Sequence, residues 1–162
     1  MGEKYSEIAQ LNQDYYDLDD TDLFYQKVSG GEHVHIGLFK DEKEPLEIAK
    51  KRTVESMASL IEINSNSRVL DIGSGYGGAA RFLAKEYGCH VTCLNISKKQ
   101  NLVNQERNQQ QKLSSFIDIC EGSFEDLYHV RIISDKKTLS LSNLFFPTAY
   151  CLQQSCLPFS KV

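Results

Sequence analysis

At 162 residues the chain has the size of one domain with its own core. A formal net charge of -4 offers no basic face to nucleic acid or an anionic membrane, and no early apolar run behind a basic stretch marks a signal peptide. No apolar segment is long enough to span a bilayer. The five cysteines (Cys89, Cys93, Cys120, Cys151 and Cys156) form no CxxC pair, which argues against zinc and for free thiols in a reducing cytoplasm.

Residues 5–28 read as two short helices. "YSEIAQLNQDYY" spaces Tyr5, Ile8, Leu11 and Tyr15 at helical intervals. "DDTDLFYQKV" begins with capping residues and sets Phe24 and Val28 on one face. Gly30 and Gly31 break the pattern. Pro45 opens the next helix, whose expected buried stripe is Leu46, Ala49, Val54, Met57, Ala58 and Ile61. The period then changes. "RVLDI" is a short buried strand, and "AARFLAKEY" is a helix that Gly88 can end. "HVTCLNI" is a second strand. Ser97 and Gln100 have the spacing of a capping box, and their helix runs to about residue 112. "FIDIC" is a third strand. Strands alternating with helices predict a parallel sheet with right-handed crossovers.

The glycine cluster "DIGSGYGG" allows a ligand close to the main chain at a helix N-terminus. Gly73, Gly75 and Gly78 fit the dinucleotide pattern GxGxxG, while Gly73, Gly75 and Gly77 fit DxGxGxG, so spacing alone leaves the ligand open. Charge separates the two. A pyrophosphate is repelled by Asp71, whereas the sulfonium and ammonium groups of S-adenosylmethionine suit it. A capping role for Asp71 is the alternative. The second strand ends in Asn95, where a nicotinamide dinucleotide site has Asp or Glu. Asn95 can still bond a ribose diol, and Gln100 lies one turn into the next helix and can reach the same ribose or serve only the capping box. Beyond the third strand, Gly122 permits close approach and Ser123 can bond an adenine edge. Phe124 either packs on that ring or belongs to the core.

"VLDIGSGYGG", "LNISKKQ" and "GSF" resemble the first three motifs of class I S-adenosylmethionine-dependent methyltransferases. "LFYQKVSGGEHVHIGLF" is similar to a segment of the sarcosine/dimethylglycine N-methyltransferases, relatives of phosphoethanolamine methyltransferases and cyclopropane fatty-acid synthases. The likeness covers about residues 10–127. Ser29 departs from it, standing where that segment usually has a tryptophan. The resemblance implies that Tyr25 and the "GGEHVHIG" loop cover the cofactor, with His35 near its methionine end. It also implies no metal, although His33 and His35 could by themselves hint at one. The cofactor residues expected are Tyr25, His35, Asp71, Gly73, Ser74, Gly75, Asn95, Ile96, Gln100, Gly122, Ser123 and Phe124. No catalytic residue is assigned.

After Leu127 the family pattern stops. "TLSLSNLFF" alternates at Leu139 and Leu141 as a strand would, but residues 128–162 are expected to be an irregular tail, foreign to the family. The expected fold is therefore α/β, Rossmann-like, of the class I methyltransferase type. It is truncated to the N-terminal helices and the first three strands of the parallel sheet. Residues 1–44 form a helical cap and covering loop, and residues 45–127 the N-terminal half of the methyltransferase domain. Lacking a fourth strand, "RVLDI" would become an apolar edge inviting self-association. The expected activity is S-adenosylmethionine-dependent N-methylation of a small amine such as sarcosine or dimethylglycine. The alternatives are a non-catalytic cofactor-binding or interaction module and, more remotely, an NAD-binding fragment.

Overall fold

A computed structural model describes residues 5–27, 32–125 and 138–140, the last three by backbone alone. The readings made for Val28, Ser29, Gly30 and Gly31, and for the tail apart from 138–140, lie outside the described residues.

The sheet has parallel strands in the order β3-β2-β1-β4: β1 (Arg68–Ile72), β2 (His90–Asn95), β3 (Ile117–Glu121) and β4 (Thr138–Ser140). Its helices are α1 (Glu7–Asp17), α2 (Asp19–Lys27), α3 (Leu46–Ala58), α4 (Gly78–Tyr87) and α5 (Lys98–Gln110). β1 lies between β2 and β4, with Val69 opposite Val91 on one side and Leu139 on the other. Two-sided burial of β1 follows, and Val69 and Leu70 are each 1% exposed. The core gathers Val69, Ala80, Leu83, Cys89, Val91, Cys93 and Ile117 between sheet and helices.

Helix ends form where the local chemistry allows. Ser6 caps α1 by accepting from the Ala9 amide at 3.2 Å. Gly88 ends α4 in the left-handed region, its amide donating to Ala84 O. Ser97 caps α5 by accepting from the Gln100 amide at 3.2 Å.

Several expectations change. Residues 138–140 are not irregular: they add a fourth strand, so β1 is central and not an edge. The alternation at Leu139 is a strand signal, but β4 is only three residues long and its partner lies far back in the chain, so the pattern is too short to outweigh an irregular tail. In α1 the inward residues are Ala9 and Gln13, while Ile8, Leu11 and Tyr15 are exposed. The reason is that α1 docks through polar bonds: Gln13 Nε2 donates to Ile96 O at 2.9 Å, and Ser97 Oγ donates to Asp17 Oδ1 at 2.7 Å. Phe24 is likewise exposed. In α3 the buried apolar residues are Ala49, Val54 and Ala58; Leu46 is exposed at the first turn, and Ile61 falls beyond the helix end.

Candidate functional site

Parallel strands place their C-terminal ends along one side of the sheet. Asp71 and Ile72 of β1, Asn95 of β2 and Glu121 of β3 stand there in register. The strand order reverses at β1, the point where open α/β sheets form a ligand crevice.

The loop after β1 folds back on β2. The Gly73 and Ser74 amides donate to Leu94 O at 2.8 and 3.3 Å, so those two N–H groups are engaged by the fold. Gly73 has φ +72°, and a Cβ there would meet no described atom within 4 Å. Its freedom is needed for the turn, and open space lies in front of it. A Cβ on Gly75 would stand 3.5 Å from Val34 Cγ2 and 4.0 Å from Gln100 Oε1, which puts residue 34, the loop and α5 at one point. Gly77 and Gly78 are packed instead. A methyl on Gly77 would overlap the Asn104 side chain, and one on Gly78 would fall on Glu32 O.

Asp71 is 4% exposed, and its Oδ2 has no hydrogen-bond partner among the described residues. Burial pushes its carboxyl up to about 7. It does not cap the next helix: α4 has no side-chain cap bond. Across the ladder stands Cys93, whose thiol burial and then Asp71 push up to about 12, so it remains neutral beside the carboxylate. Asn95 Nδ2 donates to Gln100 Oε1 at 3.2 Å, and both side chains are buried. Gln100 thus completes only half of the capping box. Its amide bonds Ser97, while its side chain turns to Asn95 and to the Tyr76 hydroxyl. Asn95 O accepts from the Gly122 amide at 3.2 Å, which brings the "GSF" segment beside it. Ser123 is buried and accepts from the Glu125 amide at 3.2 Å. Phe124 is 54% exposed, so its core role is overturned and its ring stands open.

Asp71, Gly73, Ser74, Gly75, Asn95, Ile96, Gln100, Gly122 and Ser123 therefore belong to one neighbourhood along the strand ends. Tyr25 lies on α2, and His35 on the segment that follows it. Tyr25 lies 6.1 Å from the Tyr16 ring and 5.5 Å from Phe24, centroid to centroid. His35 lies 5.1 Å from His33; burial holds both imidazoles low, His33 at about 4 with His35 as the second cause. Among the described residues no three His, Cys, Asp or Glu side chains gather as a metal site. A separate open groove of about 560 Å³ lies between α5 and β3, and none of the expected cofactor residues lines it.

Pattern reading missed the residues that hold the N-terminal elements down. Tyr76 is fully buried and donates to Asp22 Oδ1 at 2.6 Å. Burial and the Asp22 carboxylate raise its phenol above the ordinary range. Lys50 donates to His33 O at 2.6 Å. Arg81, 2% exposed, pairs with Glu32 at 2.5 Å. A signal was present for Arg81: it shares α4 with Ala80, Leu83 and Ala84, and a charge among such residues on an inward face requires a partner.

A glycine loop after a central β1, with amides across the strand ends, has the architecture of a class I methyltransferase. The family model of mycolic acid cyclopropane synthetase matches residues 3–136, past Leu127, where the likeness was expected to stop, and the chain belongs to that family. It is 46% identical over 123 residues to a glycine/sarcosine/dimethylglycine N-methyltransferase of Actinopolyspora halophila, covering 76% of this chain and 22% of that protein. It is 42% identical over 129 residues to a sarcosine/dimethylglycine N-methyltransferase of Halorhodospira halochloris, covering 78% and 46%. A crystal structure from Galdieria sulphuraria, assigned to sarcosine dimethylglycine methyltransferase, superposes with a TM-score of 0.62 at 40% identity over 67% of this chain and 43% of that one. A cyclopropane synthase from Mycobacterium tuberculosis shares the fold at a TM-score of 0.66 and 22% identity, covering 77% and 43%. The chain thus spans less than half the length of each.

Proposed function

We propose that the crevice binds S-adenosylmethionine and that the chain carries the cofactor half of an N-methyltransferase for small amines such as sarcosine or dimethylglycine. The observation that carries the cofactor is Asp71, a buried carboxylate near the end of the central strand, one oxygen of which has no partner among the described residues. A cation offsets that charge, and a pyrophosphate opposes it. The donor set fits the rest of the nucleoside. Asn95 and Gln100 offer amides to a ribose diol, and Ile96 shares their turn. Gly73, Ser74 and Gly75 leave the main chain approachable; Gly122 and Ser123 suit an adenine edge, and the open Phe124 ring can pack on it. Tyr25 and His35 would cover the methionine end. The amine preference rests on the names of relatives at 42–46% identity.

The cofactor, when bound, supplies an electrophilic methyl group on a sulfonium. The chain's part is orientation and exclusion of water, worth on the order of several kcal/mol when both reactants are held in line. Tyr16, Phe24 and Tyr25 form an aromatic group whose ring faces suit a sulfonium or a methylated ammonium. No base is required of the described residues, since an amine can lose its proton to solvent before it enters.

Calorimetry of the full chain with S-adenosylmethionine and with NAD tests the cofactor. Binding of the former alone is expected; binding of NAD alone would overturn the reading. Transfer of a radiolabelled methyl group to sarcosine, dimethylglycine and phosphoethanolamine tests the activity. Tight cofactor binding without transfer to any amine would leave the second reading, a non-catalytic binding module.

A further inference from the structure

The segment Glu32–His35 is neither helix nor strand, so no ladder of its own holds it. It is nevertheless fixed from several sides. Glu32 O and His33 Nδ1 occupy the place where a Gly78 side chain would begin, the latter 2.7 Å from that position. The backbone of the segment therefore lies directly on the first turn of α4. One turn further along α4, Arg81 directs Nε and Nη2 to Glu32 Oε2 at 3.2 and 2.5 Å. Its Nη1 donates to Asn104 Oδ1 at 3.0 Å and to Asn108 Oδ1 at 3.2 Å, both on α5. All three guanidinium nitrogens are committed, which fixes the fork in one orientation.

The second oxygen of Glu32 faces Arg107 Nη1 at 4.0 Å. The Arg107 guanidinium lies 5.4 Å from the Tyr76 ring centroid, and Tyr76 holds Asp22 of α2. One polar chain thus joins the segment to α2 through a residue of the glycine loop itself. Val34, between the anchored Glu32 and His35, passes beside Gly75 and Gln100.

Packing alone does not account for this pair. A buried Arg whose only task was to fill space could be replaced by an apolar side chain without loss. Here the partner carboxylate is 45% exposed and sits on an irregular segment, so the pair runs from the core to the surface. Parting the pair would leave the Arg81 guanidinium buried without its carboxylate, so the closed geometry is strongly favoured.

We propose that Glu32 and Arg81 are positioning residues, and that their ion pair fastens the Glu32–His35 segment across the glycine loop and sets how fast a ligand leaves the crevice. This rests on the nucleoside reading of the crevice only for the identity of that ligand.

The test uses the full chain, S-adenosylhomocysteine as the probe, and Glu32→Gln and Arg81→Lys variants. Glu32→Gln is expected to speed probe dissociation about ten-fold (about 1.4 kcal/mol in affinity) with the association rate unchanged. Arg81→Lys, which keeps charge but loses the fork, should fall between that and wild type. In ligand-free protein, hydrogen exchange should quicken at His33–Ile36 and stay unchanged at the β1 amides. Wild-type exchange and dissociation in Glu32→Gln would overturn the proposal. So would equal acceleration at β1, which would signify general loosening. If Arg81→Lys does not fold, the half-exposed Glu32 still gives both measurements. If wild type does not bind S-adenosylhomocysteine, the nucleoside reading fails, and exchange at 33–36 alone decides for or against the fastening.

Discussion

Asp71 carries a cost that a ligand can remove. Burial raises its carboxyl from 3.8 to about 7, so between those values the folded chain binds more protons than the unfolded one. Stability therefore falls as pH rises through that window. Above about pH 7 the penalty is complete, on the order of 4 kcal/mol for a shift of this size. Asp71→Asn should make the ligand-free protein more stable than wild type at pH 8. The gap should close as pH drops towards 3.8, as read by urea unfolding at several pH values. A bound cation reverses the preference, because the ionised carboxylate becomes the favoured form. S-adenosylmethionine affinity should then fall by up to about ten-fold per pH unit below about 7 in wild type and stay flat in Asp71→Asn. A flat wild-type profile would remove Asp71 from the site. That Asp71 lies on a buried strand was legible in the sequence, because "RVLDI" reads as a short buried run. Tyr76 was not, since its hydroxyl meets Asp22 across 54 residues of chain.

The glycine turn and helix α5 show how one short motif divides its labour between elements. Gly73 is left-handed and faces open space; Gly77 is left-handed and faces Asn104. A side chain in that backbone region costs about 1–2 kcal/mol by itself. Gly73→Ala should lose about that much stability while weakening ligand binding further, because its methyl enters the open space. Gly77→Ala should lose a further 1–3 kcal/mol, roughly the cost of overpacking, since its methyl displaces the Asn104 side chain that holds Arg81. Urea titrations of both variants check the order; equal losses would mean that Asn104 yields without effect. Capping made α5 legible, whereas its inward face was not. Its buried positions are Gln100, Asn101, Asn104 and Asn108, a stripe of amides that hydropathy reads as outward. They face inward because they serve Arg81, Asn95 and the Asn95 carbonyl. α1 repeats the lesson, with Gln13 inside and Leu11 outside.

For the molecule as a whole, the central question is what flanks β1. β1, α4 and β2 could be read locally, because each is one uninterrupted pattern ended by a glycine or a cap. β4 gave only the alternation at Leu139 and Leu141, which an irregular tail outweighed, because three residues carry almost no period and their pairing is set by the sheet they join. That pairing changes the expected behaviour of the chain. The sheet edges among the described residues are β3 and β4, and β3 shows Asp118 and Glu121 to solvent, charges that blunt an edge against another strand. A central strand opens only when the whole sheet does, whereas an edge frays. Amides of Val69–Asp71 should therefore exchange at least about ten-fold more slowly than those of Ile119–Glu121 in the full, ligand-free chain. Mass spectrometry with fragmentation can resolve the two segments. Similar rates would mean that β4 does not hold its place against β1, and the irregular tail expected from the sequence would be the better description.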